Sequence, residues 1–156
     1  MSTASDFDFL HGQWQVAHRR LTRRLIGSQD WQQFDGSCSV VPILGGAGNI
    51  DDNLVNLPGE PYRAVTLRSF DAATARWSIW WLDGRRPHSL DVPVVGSFQH
   101  GEGRFRASDA FEGRPILVEF TWMVGAQDQP HWSQAFSADD GASWETNWEM
   151  QFHRSG

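Results

Sequence analysis

Six polar side chains interrupt rows of apolar residues that otherwise alternate with period two, and they are the residues from which chemistry could be built. His18 and Arg20 follow Trp14 and Val16; Asp52 lies between Ile50 and Leu54; Arg68 ends the row Tyr62, Ala64, Thr66 before Phe70. Asp109 follows Phe105 and Ala107 ahead of Phe111, and Gln134 lies between Trp132 and Phe136. Alternate residues of an extended strand face one side, so a polar residue in an apolar row is expected to line the interior of a closed sheet. Charges withdrawn from water need partners, which predicts that Asp52 and Asp109 pair with Arg20 and Arg68. Such pairs could serve structure alone, each satisfying the other. They could equally orient a ligand by its carboxylate or carbonyl, with Trp80, Trp132 and Phe136 as the apolar wall. The catalytic candidates in the same set are His18 and Asp109, since desolvation can raise a carboxyl group toward neutrality and fit it for proton transfer.

Other chemistries lack their residues. The six histidines (His11, His18, His88, His100, His131 and His153) show neither His-x-His nor His-Glu-x-x-His spacing, so no metal site is expected. Gly45–Gly48 lacks the Lys-Ser/Thr that follows a phosphate-binding loop, and no Gly-x-Ser-x-Gly is present. No cofactor is expected. Cys38 is the single cysteine, which rules out an intrachain disulfide and points to a reducing, cytoplasmic setting. The N-terminus has no basic and apolar leader pattern, and no run approaches the ~20 apolar residues of a membrane span. The net charge of −6 opposes a nucleic-acid partner; the local run Arg19, Arg20, Arg23, Arg24 reads as an exposed strand-to-loop face.

The elements that must position these residues follow from the patterning. A chain of 156 residues is the size of one domain, and nine Trp and ten Phe supply ample apolar area for its core. Strands are predicted at about 13–22, 31–41, 49–56, 62–70, 76–83, 94–99, 103–109, 115–124, 131–138 and 143–154. Turn residues separate them, among them Pro58-Gly59, Asp83-Gly84 and Glu112-Gly113. Only the start looks helical, with Ser5 as N-cap and Phe7, Phe9 and Leu10 as an apolar cluster ended by Gly12, a short turn plugging one end. The expected fold is all-β: a single antiparallel up-and-down barrel of about 8–10 strands over residues 1–156, closing on itself to remove its edges.

Ser137-Ala-Asp139-Asp-Gly141-Ala-Ser-Trp144 matches the S-x-D-x-G-x-x-W pattern of the Asp-box hairpin of sialidase-type propellers. It occurs once, whereas a propeller needs repeated blades, so its expected role is to brace one turn.

The chain ends carry a further likeness. Phe9-Leu10-His11-Gly12-Gln13-Trp14 opens the first strand with Gly-x-Trp, and Arg154 closes the last. This resembles the lipocalin and calycin arrangement, in which a first-strand Trp packs against an Arg of the final strand through cation–π contact. Further stretches, Pro42–Asn49, Thr66–Asp71, Trp77–Trp80, Pro93–Gly96, Glu112–Pro115, Gln134–Ser137 and Trp144–Trp148, are similar to uncharacterised bacterial calycin-like proteins related to the DUF1579 families. That resemblance implies a barrel fold and no particular activity. Nitrobindin, a haem-binding barrel of the same neighbourhood, has a Gly-rich opening and a Tyr-Pro signature that are absent here.

The leading expectation is a barrel that binds a small, partly apolar, aromatic or lipophilic molecule through His18, Arg20, Asp52, Arg68, Trp80, Asp109, Trp132, Gln134 and Phe136. The alternative is a cofactor-independent isomerase, hydratase or cyclase using His18 or an Asp in the same cavity; haem binding and a protein-interaction module rank below both. Strand 76–83 carries Trp77, Ile79 and Trp81 on one face and Trp80 and Leu82 on the other, without revealing which lies inside. An outward-facing ring set would be covered by a second subunit, giving a homodimer, or by a loop. In the final strand Trp144, Thr146, Trp148, Met150 and Phe152 are expected inside, and Glu145, Asn147, Glu149, Gln151 and His153 in solvent.

Overall fold

The computed structural model describes residues 1–126 and 128–155. Ten strands run in chain order: β1 (Gly12–Leu21), β2 (Trp31–Ile43), β3 (Gly48–Val55), β4 (Tyr62–Asp71), β5 (Arg76–Asp83), β6 (Val94–Gln99), β7 (Glu102–Phe111), β8 (Arg114–Met123), β9 (His131–Ser137) and β10 (Glu145–Arg154). Each strand pairs antiparallel with its chain neighbours, and β1 pairs with β10 to close a ten-strand barrel. The seam runs from Trp14↔Arg154 to Arg20↔Trp148. The periodicity placed these strands to within about two residues, because turn residues interrupt the alternation between them.

Arg154 bolts the seam to the chain start. Its guanidinium lies 4.1 Å over the Trp14 ring, donates to the His11 carbonyl at 2.9 Å and pairs with Asp128 at 2.8 Å. Trp14 in turn donates its indole N–H to the Leu10 carbonyl at 2.8 Å. The Arg–Trp contact expected from the chain ends is therefore the one that forms.

The N-terminal segment fills one end of the barrel. Phe7 and Leu10 are almost fully buried, and Phe7 meets Trp77 and Phe98 edge-on at ring separations of 4.9 and 4.8 Å. A short 3-10 turn spans Asp8–Leu10. Neither Ser5 nor any other described side chain caps it; Asp6 instead braces the segment, accepting from the Thr3 backbone N–H at 2.8 Å and from the Trp77 indole at 3.3 Å.

Above this plug lies a buried charged layer, and here the expected partners change. The inner row of β3 is Asn49, Asp51, Asn53 and Val55, whereas Asp52 is exposed and pairs at the surface with Arg63 at 3.4 Å. Asp52 therefore cannot line the interior, and Arg68 does not pair with it. Asp51 takes its place, 2.8 Å from Arg68, and accepts the Thr66 backbone N–H at 3.0 Å and the Asn53 amide. Arg68 also donates to Asn49 at 2.8 Å. Antiparallel pairing sets the faces: Thr66 and Arg68 stand opposite Asp51 and Asn49, so the inner row of β4 draws the odd-numbered residues of β3 inward.

Two stability outcomes follow. Asp51→Ala leaves a buried guanidinium without its counter-charge and should lower the unfolding free energy by about 3–5 kcal/mol in urea titrations. Asp52→Ala breaks only an exposed pair and should stay within about 1 kcal/mol of wild type. Equal losses would mean that the faces of β3 are reversed.

Candidate functional site

The end opposite the plug is open. Its mouth void measures about 940 Å³, with the adjoining solvent included, and is walled by Trp81, Phe120, Trp132, Phe136 and Trp148. A side void of about 500 Å³ reaches toward Val94 and Ile116, and a deeper one of about 350 Å³ descends to Asp51 and Arg68, both figures likewise including adjoining open space. Trp81 and Phe120 border all three, so the space is one branching cavity confined to the upper half of the barrel. The lower half is packed with rings, including Trp14, Trp77 and Phe105, each nearly inaccessible to solvent.

Most residues singled out in the sequence meet at this cavity. Arg20, Asp109, Trp132, Gln134 and Phe136 border the mouth, and Arg68 borders the deep end. Trp80 does not: the inner row of β5 is Trp77, Ile79, Trp81 and Asp83, and Trp80 lies on the outer face beside Leu67. Trp81 is the wall residue in its stead. The signal was present, because the row holding Trp80 also contains Ser78, while the other row is apolar as far as Asp83. Phe120, Asp91 and the Asp83–Arg85 pair also border the mouth, and the sequence offered no mark that set them apart.

His18 is buried but is poorly placed as a base. Its Nδ1 accepts the Trp148 indole N–H at 3.1 Å, so its free lone pair is occupied and the ring proton belongs on Nε2. The imidazole stacks on Phe34 at 4.8 Å, and Gly36 beside it makes room: a Cβ there would lie 3.0 Å from Nε2 and strike the Leu54 carbonyl. Burial first, and then the charge of Arg20, brings the His18 pKa down to about 4.

The charges at the mouth are unevenly matched. Asp83 is clamped by Arg85 at 2.8 Å and Arg86 at 3.3 Å; burial pulls its pKa up, but the Arg85 hydrogen bonds outweigh that and hold it below the usual range. Arg85 also stacks over Tyr62 at 3.7 Å. Arg20 and Arg24 have no carboxylate within 4.0 Å among the described residues. Arg20 lies over Trp148 at 4.6 Å and Arg24 over Phe111 at 5.1 Å. The pairing expected between Asp109 and Arg20 is not made; Asp109 is exposed and accepts the Ala110 backbone N–H. Asp91, on the same wall as Asp109, has its pKa raised by burial and then by Asp109.

A bulge in β10 between Thr146 and Trp148 alters the alternation expected there. Trp148, Met150 and Phe152 face inward, but Asn147 is fully buried, accepting from Gln134 at 2.9 Å, rather than lying in solvent. Trp144 packs outside, with Arg106 over its ring at 4.9 Å. The Asp-box braces the turn before it: Ser137 Oγ accepts the Gly141 N–H and Asp139 accepts the Ser143 N–H, both at 2.8 Å. One extra residue in a strand reverses the facing of everything before it.

Two potential attachment points for a ligand are closed. All thirteen basic side chains are arginines, so no lysine can form a Schiff base. Cys38 is buried, and burial followed by Asp51 pushes its thiol pKa up, away from the reactive thiolate. Among the described residues, no three or more His, Cys, Asp or Glu side chains gather where they could hold a metal ion. Among the described residues no helix is long and apolar enough to cross a membrane.

This geometry defines a calycin-like barrel. A solved structure of similar fold is the S-type phycobiliprotein lyase CPES from Guillardia theta; the match has a TM-score of 0.66 and 11% identity, and covers 100% of this chain and 94% of that one. At that identity the likeness is one of fold. No protein-family model matches the chain, and no curated protein matches it in sequence.

The His18 environment predicts a pH dependence. With a folded pKa near 4 against 6.5 for the free side chain, the unfolded chain binds the extra proton between those values. Stability is then full above about pH 6.5 and falls as pH drops toward 4, by about 2–3 kcal/mol from this group. Urea titrations at pH 7 and pH 5 should show the loss in wild type and a shallower one in His18→Gln; identical slopes would place the imidazole in water.

Proposed function

We propose that this protein binds a small aromatic or lipophilic molecule non-covalently in the upper half of the barrel. The observation that carries this reading is the asymmetry of the interior: one half is packed solid, while the other keeps an open, ring-lined cavity with polar groups at its mouth and floor. A barrel needing only stability would gain by filling both halves, since each buried ring contributes on the order of 1.5–3 kcal/mol. Apolar walls with a few placed polar groups are the usual form of a small-molecule site. The similar fold of a phycobiliprotein lyase agrees with a barrel that handles a compound, without identifying one.

The catalytic alternative is disfavoured at the two residues singled out for it. Its proton carrier His18 has its free lone pair engaged by Trp148, and Asp109 lies exposed at the rim.

The neutral dye N-phenylnaphthylamine, which brightens in apolar surroundings, tests the reading. It should bind wild type saturably, bind Trp81→Ala about tenfold more weakly, and bind Trp80→Ala as wild type, since only Trp81 borders the cavity. Absence of saturable binding, or equal losses in both variants, would refute it.

A further inference from the structure

We infer that the molecule held in this cavity carries one anionic group, a carboxylate or sulfonate, close to its ring system, and that Arg20 and Arg24 receive it at the mouth. The inference rests on the cavity being a ligand site and names the class of ligand.

Among the described residues, Arg20, Arg23, Arg24, Arg76 and Arg114 have no carboxylate within 4.0 Å, and of these only Arg20 and Arg24 border the mouth cavity. Both guanidiniums lie against rings, and the Arg20 Nε is buried without a hydrogen-bond partner. Burial lowers the pKa of each, that of Arg24 to about 10, with Arg20 adding repulsion. Two like charges, partly desolvated and without a contacting carboxylate, are a costly arrangement that an incoming anion would relieve, the acids Asp83, Glu112 and Glu145 acting on them only through space.

Geometry points the same way. A guanidinium stacked on an aromatic face keeps its N–H edge free for bidentate contact with a planar oxyanion. An anion there sits beside Trp148 and Phe111, so the ring system of the same molecule can lie against the mouth walls that include Phe136 and Phe120. Arg85 and Arg86 are not alternative receivers, because Arg85 is held between Asp83 and Glu60 and Arg86 also pairs with Asp83. Asp91 and Asp109 border the same mouth and would repel a second negative charge, which limits the ligand to one.

Two dyes of matched ring system test this: anilinonaphthalene sulfonate, an anion, and neutral N-phenylnaphthylamine. Arg20→Gln should weaken the sulfonate about tenfold and Arg24→Gln severalfold, while the neutral dye changes less than about twofold in either. Arg23→Gln removes an exposed neighbouring charge and should alter neither dye, which separates direct contact from general electrostatic attraction. Circular dichroism confirms folding; should Arg20→Gln fail to fold, the loop variant Arg24→Gln decides alone. Unchanged sulfonate binding, or equal loss of both dyes, overturns the inference while leaving the cavity reading intact. If neither dye binds wild type, the cavity reading falls and this inference with it.

Discussion

Closure of β1 onto β10 is the constraint from which the rest of the structure follows. A closed sheet has no edges to protect, but it encloses a volume that the sequence must either fill or leave open. This chain does both. Arg154 over Trp14 pins the seam at one end, and the N-terminal turn pushes Phe7 into the space behind it. Rings near that end interlock edge to face, the arrangement their charge distributions favour. At the other end the walls are also aromatic, with Trp148 edge-on to Trp81 and Trp132, yet a void remains at the mouth.

Between the two halves the Arg68–Asp51 layer acts as a floor. A buried ion pair adds little stability compared with well-packed apolar residues, but removing one member is severe. Its carboxylate is held by Thr66 and Asn53 and its guanidinium by Asn49, so the floor has one defined geometry. At the mouth the situation is reversed. Arg20 and Arg24 meet rings instead of carboxylates; Asp83 is committed to Arg85 and Arg86, and Glu112 and Glu145 act on Arg24 only through space. Matched charge at the floor and unmatched charge at the mouth distinguish the structural part of the polar lining from the part open to a ligand.

Much of this was legible in the sequence, and the exceptions share one cause. Strand positions, antiparallel order, closure and the Trp14–Arg154 contact all follow from period-two patterning, turn residues and the two chain ends. The rows through Arg20, Arg68 and Gln134 were read on the correct face because each contained enough apolar residues to declare itself. Asp52 and Trp80 were misplaced because in a strand a single residue separates inside from outside. In β3 the inner row is the more polar one, so hydrophobicity points the wrong way and only pairing with β4 corrects it. The bulge before Trp148 is set by how β10 meets β9, a contact no local pattern records.

The most direct test of the account uses the tryptophans themselves, whose indole N–H resonances report from both halves of the barrel. Titration of 15N-labelled protein with N-phenylnaphthylamine should shift the Trp81, Trp132 and Trp148 signals and leave Trp14 and Trp77 unmoved, because only the first three wall the open cavity. Shifts confined to the outward-facing Trp80 and Trp144, or no shifts at all, would contradict the claim that the upper half of the barrel is a binding site.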